Sequence, residues 1–436
     1  MNTDNSVQHY INEYQQVAGQ LTGHDLPWLQ QLRQAAQDNL IKQGFPTTHC
    51  EEWKYTSVKS ITKHAFKIAN SQANDIDISQ LVNSALIQHC MVFINGHFNA
   101  QLSKLNQLPK SINIKSLKQA LKEDSESVKT HLNQLAANTQ QGFSDLNTLL
   151  MNDGAYIHLK SNSQLEHPIF LLFINTQENT IIPVRNLIIA DENSQATIIE
   201  NFISLSSNNY LTSTITELFA NAKSKITHYK LLQENEKAFH IGSLEVKQLT
   251  NSEFTSHSFA LDGLLTRSDI NVELAEQHVA CTLNGLYFAQ GKQHIDHHTK
   301  IKHSHPHGTS RQYYKGVLSD HSRAVFNGKV FVQPGAMKTD AQQTNKNLLL
   351  SLDAEIDTKP ELEIYADDVK CTHGAAIGQL DANALFYLKS RGIAEAQAKS
   401  ILIYAFIEEL VEHVSIAPLR QQLEQNLRKL HEQTTL

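Results

Sequence analysis

Asn193-Ser194-Gln195-Ala196-Thr197-Ile198-Ile199 is a polar turn that leads into an apolar β-strand, and similar segments follow it along the chain. They are Asn221–Ile226, Asn251–Thr255, Glu276–Cys281 and Asp320–Phe326. The first four segments recur at roughly 25 to 30 residues, within the range of solenoid repeats. We therefore predict a β-solenoid, in which stacked coils bury apolar faces that one coil cannot bury alone. An antiparallel sandwich is the alternative, although its strands should be spaced more tightly.

The pattern is mainly helical on both sides of this β-rich region. Apolar residues recur every three to four positions in Asp25–Lys42, Ile114–Leu121, Ser125–Leu135, Ile393–His413 and Pro418–His431. One exception lies near Asn95-Gly96, which separates two apolar runs and favours a tight β-hairpin. The chain of 436 residues is thus predicted to have an N-terminal helical domain with a small hairpin (1–150), a β-solenoid core (151–378) and a C-terminal helical domain (379–436).

Composition argues against several classes of function. The formal net charge is −7, and the 37 Lys and Arg residues form no basic run, so neither nucleic acid nor an anionic membrane is an expected partner. The N-terminus resembles no export signal, and no segment is long and apolar enough to span a bilayer, so we expect a cytoplasmic protein. The cysteines, Cys50, Cys90, Cys281 and Cys371, form no C-x-x-C pair, which favours reduced thiols.

A thiol and an imidazole stand two positions apart in Cys371-Thr372-His373. If this segment is a β-strand, Cys371 and His373 point to the same face. Such a pair suits zinc, iron or an iron–sulfur site, although two ligands are too few to hold a metal alone. The structural alternative is a small buried thiol beside a hydrogen-bonded core histidine.

Histidine is densest between His294 and His307. A cupin-type metal site is excluded, because no carboxylate follows the His-x-His pattern where that site needs one. Pro306 cannot donate a strand hydrogen bond and predicts a turn or an edge there. A surface or inter-coil role for these histidines is favoured over metal ligation.

The segment Ile401–Ile407 is apolar at seven consecutive positions, which covers the whole circumference of a helix. Such a helix is either packed inside its own domain or partly exposed as a partner site. The chain contains no phosphate-binding loop, no dinucleotide fingerprint and no nucleophile elbow. We therefore find no catalytic motif and expect that the chain is not an enzyme.

Several motifs in the last third of the chain resemble the SufB/SufD family of iron–sulfur cluster assembly proteins. They are Gln312–Leu318, Phe326–Val330, Thr339–Gln343, Asn347–Ser351, Thr358–Ile364, Asp368–Ala375 and Phe386–Ile393. The earlier Glu51–Thr56 resembles the N-terminal motif of the SufD branch. Thr372-His373-Gly374, where SufB-like chains carry Glu-His-Glu, also favours the SufD branch; a SufB-like main scaffold is the alternative.

The resemblance implies a mainly β fold with a right-handed parallel β-helix core and helical domains at both ends. It also implies a non-catalytic scaffold subunit of a SufBCD-type complex. In that complex the chain pairs with SufB and binds the ATPase SufC through its C-terminal helices, while a cysteine desulfurase system delivers sulfur. Alone, the chain could form a homodimer.

The resemblance also carries over individual residues. His373 matches the family's interface histidine and Cys371 its neighbouring cysteine, so we expect both at the joint with SufB, where a transient iron or iron–sulfur cluster forms. No cofactor is expected to be tightly bound by this chain alone. Ile401, Tyr404 and Phe406 are expected to form or support the SufC surface. A β-helix enzyme acting on acidic polysaccharide and a plain oligomeric scaffold remain alternatives.

Overall fold

The computed structural model describes residues 5–72, 76–105, 108–138 and 142–434. Its main body consists of two 10-stranded sheets, named sheet A and sheet B below. The strands are β1 (Lys67–Ile68), β2 (His89–Ile94), β3 (His97–Phe98), β4 (Ile112–Ser116), β5 (Ala155–Leu159), β6 (Ile169–Asn175), β7 (Thr180–Ala190), β8 (Gln195–Ser204), β9 (Leu211–Ala220), β10 (Lys225–Gln233), β11 (Phe239–Gln248), β12 (Glu253–Ala260), β13 (Leu265–Leu274), β14 (Ala280–Ala289), β15 (His294–His303), β16 (Thr309–Leu318), β17 (Arg323–Val332), β18 (Asp340–Leu349), β19 (Glu355–Ile364) and β20 (Lys370–Gly378).

Helices precede and follow this body. They are α1 (Asn5–Val17), α2 (Pro27–Gln43), α3 (Lys59–Thr62), α4 (Leu117–Glu123), α5 (Ser125–His131), α6 (Gly142–Leu150), α7 (Ala382–Ser390), α8 (Glu395–Glu412) and α9 (Ala417–Thr434). Short 3₁₀ turns include Glu51–Trp53 and Ser84–Leu86. None of the helices in the described ranges combines the length and the apolar character that crossing a bilayer requires.

From β5 onward the chain alternates between the two sheets, so that each strand pairs with the strand two places later. Sheet A runs in the order β19-β17-β15-β13-β11-β9-β7-β5-β4, with β1 paired to β7 beside this order, and sheet B in the order β20-β18-β16-β14-β12-β10-β8-β6-β2-β3. In sheet B, Gln195 lies opposite Lys225 and Lys225 opposite Glu253, in parallel register, so each coil takes about 30 residues. The predicted β-solenoid is confirmed and the antiparallel sandwich is wrong, because parallel neighbours require a crossover between them.

From β8 onward, each turn into a sheet B strand contains a residue with positive φ two positions before the strand. These residues are Asn193, Lys223, Asn251, His278, His307, Lys338 and Asp368. The backbone N–H of Asn193 donates to the carbonyl of Ala222, and that of Lys223 to the carbonyl of Thr250, both at 2.9 Å. The polar turns predicted from the sequence are therefore stacked corners, joined from coil to coil by hydrogen bonds.

Apolar side chains from both sheets fill the inside of the solenoid. Phe93, Phe173 and Phe202 stack along its axis, with ring centroids 4.9 and 4.6 Å apart. All three are at least nine-tenths buried. Because successive strand residues alternate faces, every second residue of a core strand enters this interior and the others face outward.

The N-terminal part of the chain closes the first coil. β2 pairs in parallel with β6 and, through the Asn95-Gly96 turn, antiparallel with β3. Both turn residues have positive φ, as the predicted hairpin turn requires. The helices α1, α2 and α6 share an apolar cluster with strands of sheet A, which attaches them to its outer face.

One predicted helix begins later than expected. Residues Ile112–Ser116 form β4, which pairs antiparallel with β5, and the helix starts only at Leu117. The prediction of a helix over Ile114–Leu121 is therefore wrong in its first turn. The physical reason is that Ser116 caps the helix by accepting a hydrogen bond from the backbone of Gln119, while Ile112 and Ile114 bury their side chains in the solenoid.

Candidate functional site

Cys371 and His373 lie on β20, the last strand of sheet B. Cys371 is in register with Ala341, and His373 with Gln343, whose side chains belong to the solenoid interior. The two side chains therefore share the inner face of β20, as the spacing predicts. Within the described ranges no further strand pairs with β20, so this inner face lies at the open end of the solenoid.

The two side chains differ in their surroundings. Cys371 is half-buried and packs against a small apolar cluster that includes Val332 and Ala341. Burial raises the pKa of the Cys371 thiol, and the carboxylate of Asp340 raises it further, so the thiol is protonated at neutral pH. His373 is exposed. Together they offer a sulfur and a nitrogen donor to whatever covers the last coil.

The last coil also exposes large apolar side chains. Ile377 of β20 is 51% exposed, Tyr365 at the end of β19 is 58% exposed, and Leu352 in the preceding loop is 92% exposed. Large apolar side chains left exposed on one coil are a feature of protein interaction sites. The edges of β19 and β20 add unpaired backbone groups, which a further strand could pair with. The open end therefore has the features of a subunit interface.

The C-terminal helices pack on the outer face of sheet B. Lys315 of β16 donates from Nζ to the carbonyl of Phe406 at 2.7 Å and to Glu409 at 2.9 Å. Tyr313 donates its hydroxyl to the same carboxylate at 2.6 Å. Ser415, in the turn after α8, contacts the hydroxyl of Tyr229 at 3.2 Å. Polar anchors from the sheet thus hold the C-terminal half of α8.

The three residues expected at the SufC surface lie at different depths on α8. Ile401 is exposed, whereas Tyr404 and Phe406 are half-buried. The ring of Phe406 lies 5.2 Å from Nζ of Lys315 and faces the sheet. Most of the apolar circumference of α8 is therefore covered by its own domain, and only the side near Ile401 is open.

Two neighbouring residues were missed by the sequence analysis. Phe386 and Tyr387 on α7 are 74% and 56% exposed, and α7 packs beside α8. Helix α7 itself was not predicted. Residues 384–388 form an apolar run that is typical of a buried helix. This pattern could have predicted α7.

The His294–His307 tract is divided among several structural contacts. These are His294 with Thr56 at 2.8 Å, His298 with Asp296 and Glu52 at 3.1 and 3.4 Å, His303 with Ser310 at 2.9 Å, and the ring of His307 with that of His278 at 4.8 Å. Pro306 lies in the turn between β15 and β16, as predicted. Among the described residues, no group of three or more His, Cys, Asp or Glu side chains could hold a metal ion.

The Glu51–Thr56 motif fastens the N-terminal region to the outer face of sheet A. Trp53 lies 3.7 Å from the guanidinium of buried Arg267, which pairs with Asp296 at 3.0 Å. Thr56 donates a hydrogen bond to the same carboxylate. Burial would raise the pKa of Asp296, but His298 and Arg267 outweigh burial and hold this pKa well below its usual range. The motif thus completes a buried charge network between residues more than 200 positions apart.

Comparisons with known proteins agree with this architecture. The family model described as "SUF system FeS cluster assembly, SufBD core domain" matches residues 173–406, and that of the SufBD protein N-terminal region matches residues 4–171. An iron–sulfur cluster assembly SufBD family protein of Synechocystis is 34% identical over 406 residues, covering 90% of this chain and 89% of the relative.

Two further relatives bear the name iron–sulfur cluster assembly protein SufD. The one from Escherichia coli is 32% identical over 391 residues, covering 88% of this chain and 89% of the relative. The one from Bacillus subtilis is 27% identical over 289 residues, covering 64% of each chain. The chain therefore belongs to the SufBD family of iron–sulfur cluster assembly proteins.

Proposed function

We propose that this chain is a non-catalytic scaffold subunit of a SufBCD-type complex and that a nascent iron–sulfur cluster forms where it meets SufB. The observation that carries the proposal is the position of Cys371 and His373 on the inner face of the last strand. A second solenoid placed against this end would cover both side chains. It would also bury the exposed Ile377 and Tyr365.

In this proposal His373 supplies a ligand to iron or to the nascent cluster, and Cys371 has an auxiliary role. The cluster is the cargo of the complex and not a resident cofactor of this chain. Two donors cannot satisfy an iron site, so the remaining ligands have to come from SufB. Covering the site also keeps the thiol away from oxidants until the joint opens.

We further propose that SufC binds the exposed side of the C-terminal helices. Phe386, Tyr387 and Ile401 provide the apolar surface there. Phe406 and Tyr404 support this surface from below, since the ring of Phe406 faces the sheet. The anchors on Lys315 and Tyr229 would connect SufC, through α8, to the strands that lead to the open end.

The test is the variant His373→Ala, co-expressed with SufB and SufC and reconstituted without oxygen. Size-exclusion chromatography should show an intact complex, because His373 is exposed and its loss removes no core contact. Iron and sulfide content should fall roughly tenfold or more, since losing even a ligand's hydrogen-bond partner costs about that much metal affinity.

His305→Ala is the matched control, because His305 is an exposed histidine in a turn outside β20. It should leave both assembly and cluster content unchanged. Full cluster content in the His373→Ala complex would refute the ligand role of His373.

A further inference from the structure

A charged groove of about 430 Å³ lies between the N-terminal region and the outer face of sheet A. Its floor is formed by outward residues of β11, β13, β15 and β17, and its walls include Glu52, Leu135 and Ser144. This volume is in the range of small-molecule sites and too small for a protein segment of any length. The groove is on the side of the solenoid, away from the inner face of β20.

Lys300 has three cationic neighbours among the five cationic side chains that line this groove. His298 and Lys302 flank it on the same face of β15. Lys329 lies directly opposite on β17. Like charges placed directly opposite on neighbouring strands destabilise a sheet, so a bound anion would reduce the repulsion between Lys300 and Lys329.

The other three cations have carboxylate partners, but Lys300 does not. His298 pairs with Asp296 and Glu52, Lys302 pairs with Glu273 at 2.8 Å, and Lys329 pairs with Glu361 and Glu363. Within the described ranges the ammonium of Lys300 makes no ion pair or hydrogen bond. Its positive charge is therefore left uncompensated beside these three cations.

Asn327 gives an independent indication of a ligand. Its side chain is only 7% exposed and lines the groove beside His298, with which it is in register. Its amide has no hydrogen-bond partner among the residues that the structure describes. The polar atoms of this amide reach the groove, so its N–H groups can donate to a bound acceptor.

The acidic residues of the groove do not oppose an anion strongly. Asp269 is held by Arg267 at 2.9 Å, Glu273 by Lys302, and Glu52 by His298 at 3.4 Å. Burial raises the pKa of Glu245 to about 8, so this side chain is neutral at pH 7. For His298, burial lowers the pKa, but Asp296 and Glu52 outweigh it and raise the pKa to about 9, so the imidazole is charged.

We propose that this groove binds a small phosphate-type oxyanion, with the ammonium of Lys300 and the amide of Asn327 as its direct donors. His298 and Lys329 add positive charge on either side. Glu52 of the Glu51–Thr56 motif also lines the groove, so the site includes part of the N-terminal region. This proposal does not depend on the cluster site at the open end.

The test is thermal unfolding of the full chain titrated with inorganic phosphate at pH 7, with ionic strength held constant by potassium chloride. The wild type should gain stability in a saturable way, since a ligand that binds only the native state raises the melting temperature. Lys300→Gln should fold normally because Lys300 is exposed and unpaired. It should need a roughly tenfold or higher phosphate concentration for the same gain, the typical effect of losing a charged hydrogen bond.

Lys346→Gln is the control, because Lys346 is an exposed lysine on sheet B with no carboxylate partner among the described residues. It should respond like the wild type. Equal responses of all three proteins would show a general salt effect and overturn the proposal, as would the absence of a saturable response in the wild type. A parallel titration with adenosine monophosphate identifies the source: tighter, Lys300-dependent binding indicates a phosphate ester, and weaker binding indicates free phosphate.

Discussion

His297 is a histidine sealed inside the solenoid. Its ring lies between those of Tyr287 and Tyr314, at centroid distances of 5.4 and 5.5 Å. Neither ring nitrogen has a hydrogen-bond partner in the described part of the chain. Burial lowers the pKa of His297 to about 4, so the folded protein holds it neutral, whereas the unfolded chain protonates it near its ordinary pKa of about 6.5.

This difference predicts acid sensitivity that one substitution should reduce. Between pH 6.5 and 4 the unfolded state binds the extra proton, so the contribution of His297 to stability is complete above about pH 6.5 and is lost as pH falls to about 4. The full loss is about 3 kcal/mol. In His297→Phe, urea unfolding should show a correspondingly smaller loss of unfolding free energy over this range than in the wild type. Parallel curves for the two proteins would contradict the assignment.

Helix α8 depends on sheet B for its position. The side chain of Lys315 is 5% exposed and bonds to the α8 backbone at Phe406 as well as to Glu409. Buried charged hydrogen bonds of this kind are stronger than neutral ones. The sheet is thereby connected directly to the helix on which we place the SufC surface.

Replacing Lys315 by Met should loosen α8 without harming the solenoid. Methionine keeps the apolar stem but removes the ammonium, so amide hydrogen exchange in α8 should accelerate about tenfold, as expected for losing a charged hydrogen bond. Exchange in β12 to β16 should stay slow. Lys346→Met is the control, because Lys346 is in register with Lys315 on the same face but bonds to no residue of α8. Unchanged exchange in α8 would refute the anchoring role.

At the scale of the whole molecule, the two proposed partner surfaces are formed by different residues. One is the open end, with Ile377 and Tyr365, and the other is the α7–α8 surface, with Phe386 and Ile401. A solenoid coil contacts only its neighbouring coils. Damage to one surface should therefore leave binding at the other intact.

Ile377→Lys tests this separation. A lysine at the joint would be buried without a partner, which costs several kcal/mol, so affinity for SufB should fall at least about tenfold. Binding of SufC in pull-down should be unaffected. Leu205→Lys, at another exposed apolar position, should leave both partners bound. Normal SufB pairing by the Ile377→Lys variant would place the interface elsewhere.

Local periodicity predicted most of the solenoid because each coil repeats the same turn and strand. For example, the turns before Gln195 and Lys225 are both polar, and each can be recognised without reference to the residues between them. β4 was missed because it has only five residues and is followed at once by a helix, so its alternation is hidden by the helical period of Leu117–Glu123. A short strand has too few residues to reveal its period.

The candidate site was predictable only in part. The spacing of Cys371 and His373 fixes their common face, because strand side chains alternate. β20 belongs to the last coil because the stacking of coils ends there. No local sequence pattern predicts where the stacking ends. The contact of Trp53 with Arg267 joins residues 214 positions apart, and the exposure of Phe386 depends on how α7 lies beside α8. These are properties of tertiary packing.

The path of the chain after β20 has a mechanical consequence. From the open end it doubles back along sheet B, where α8 contacts β14 and β16, and α9 reaches the Ser84–Leu86 turn next to the first coil. The C-terminal helices thus lie along the outside of sheet B, from its middle strands towards the first coil. Because α8 and α9 contact several coils, the stack can bend along this face only if these contacts slide or the two helices move with it.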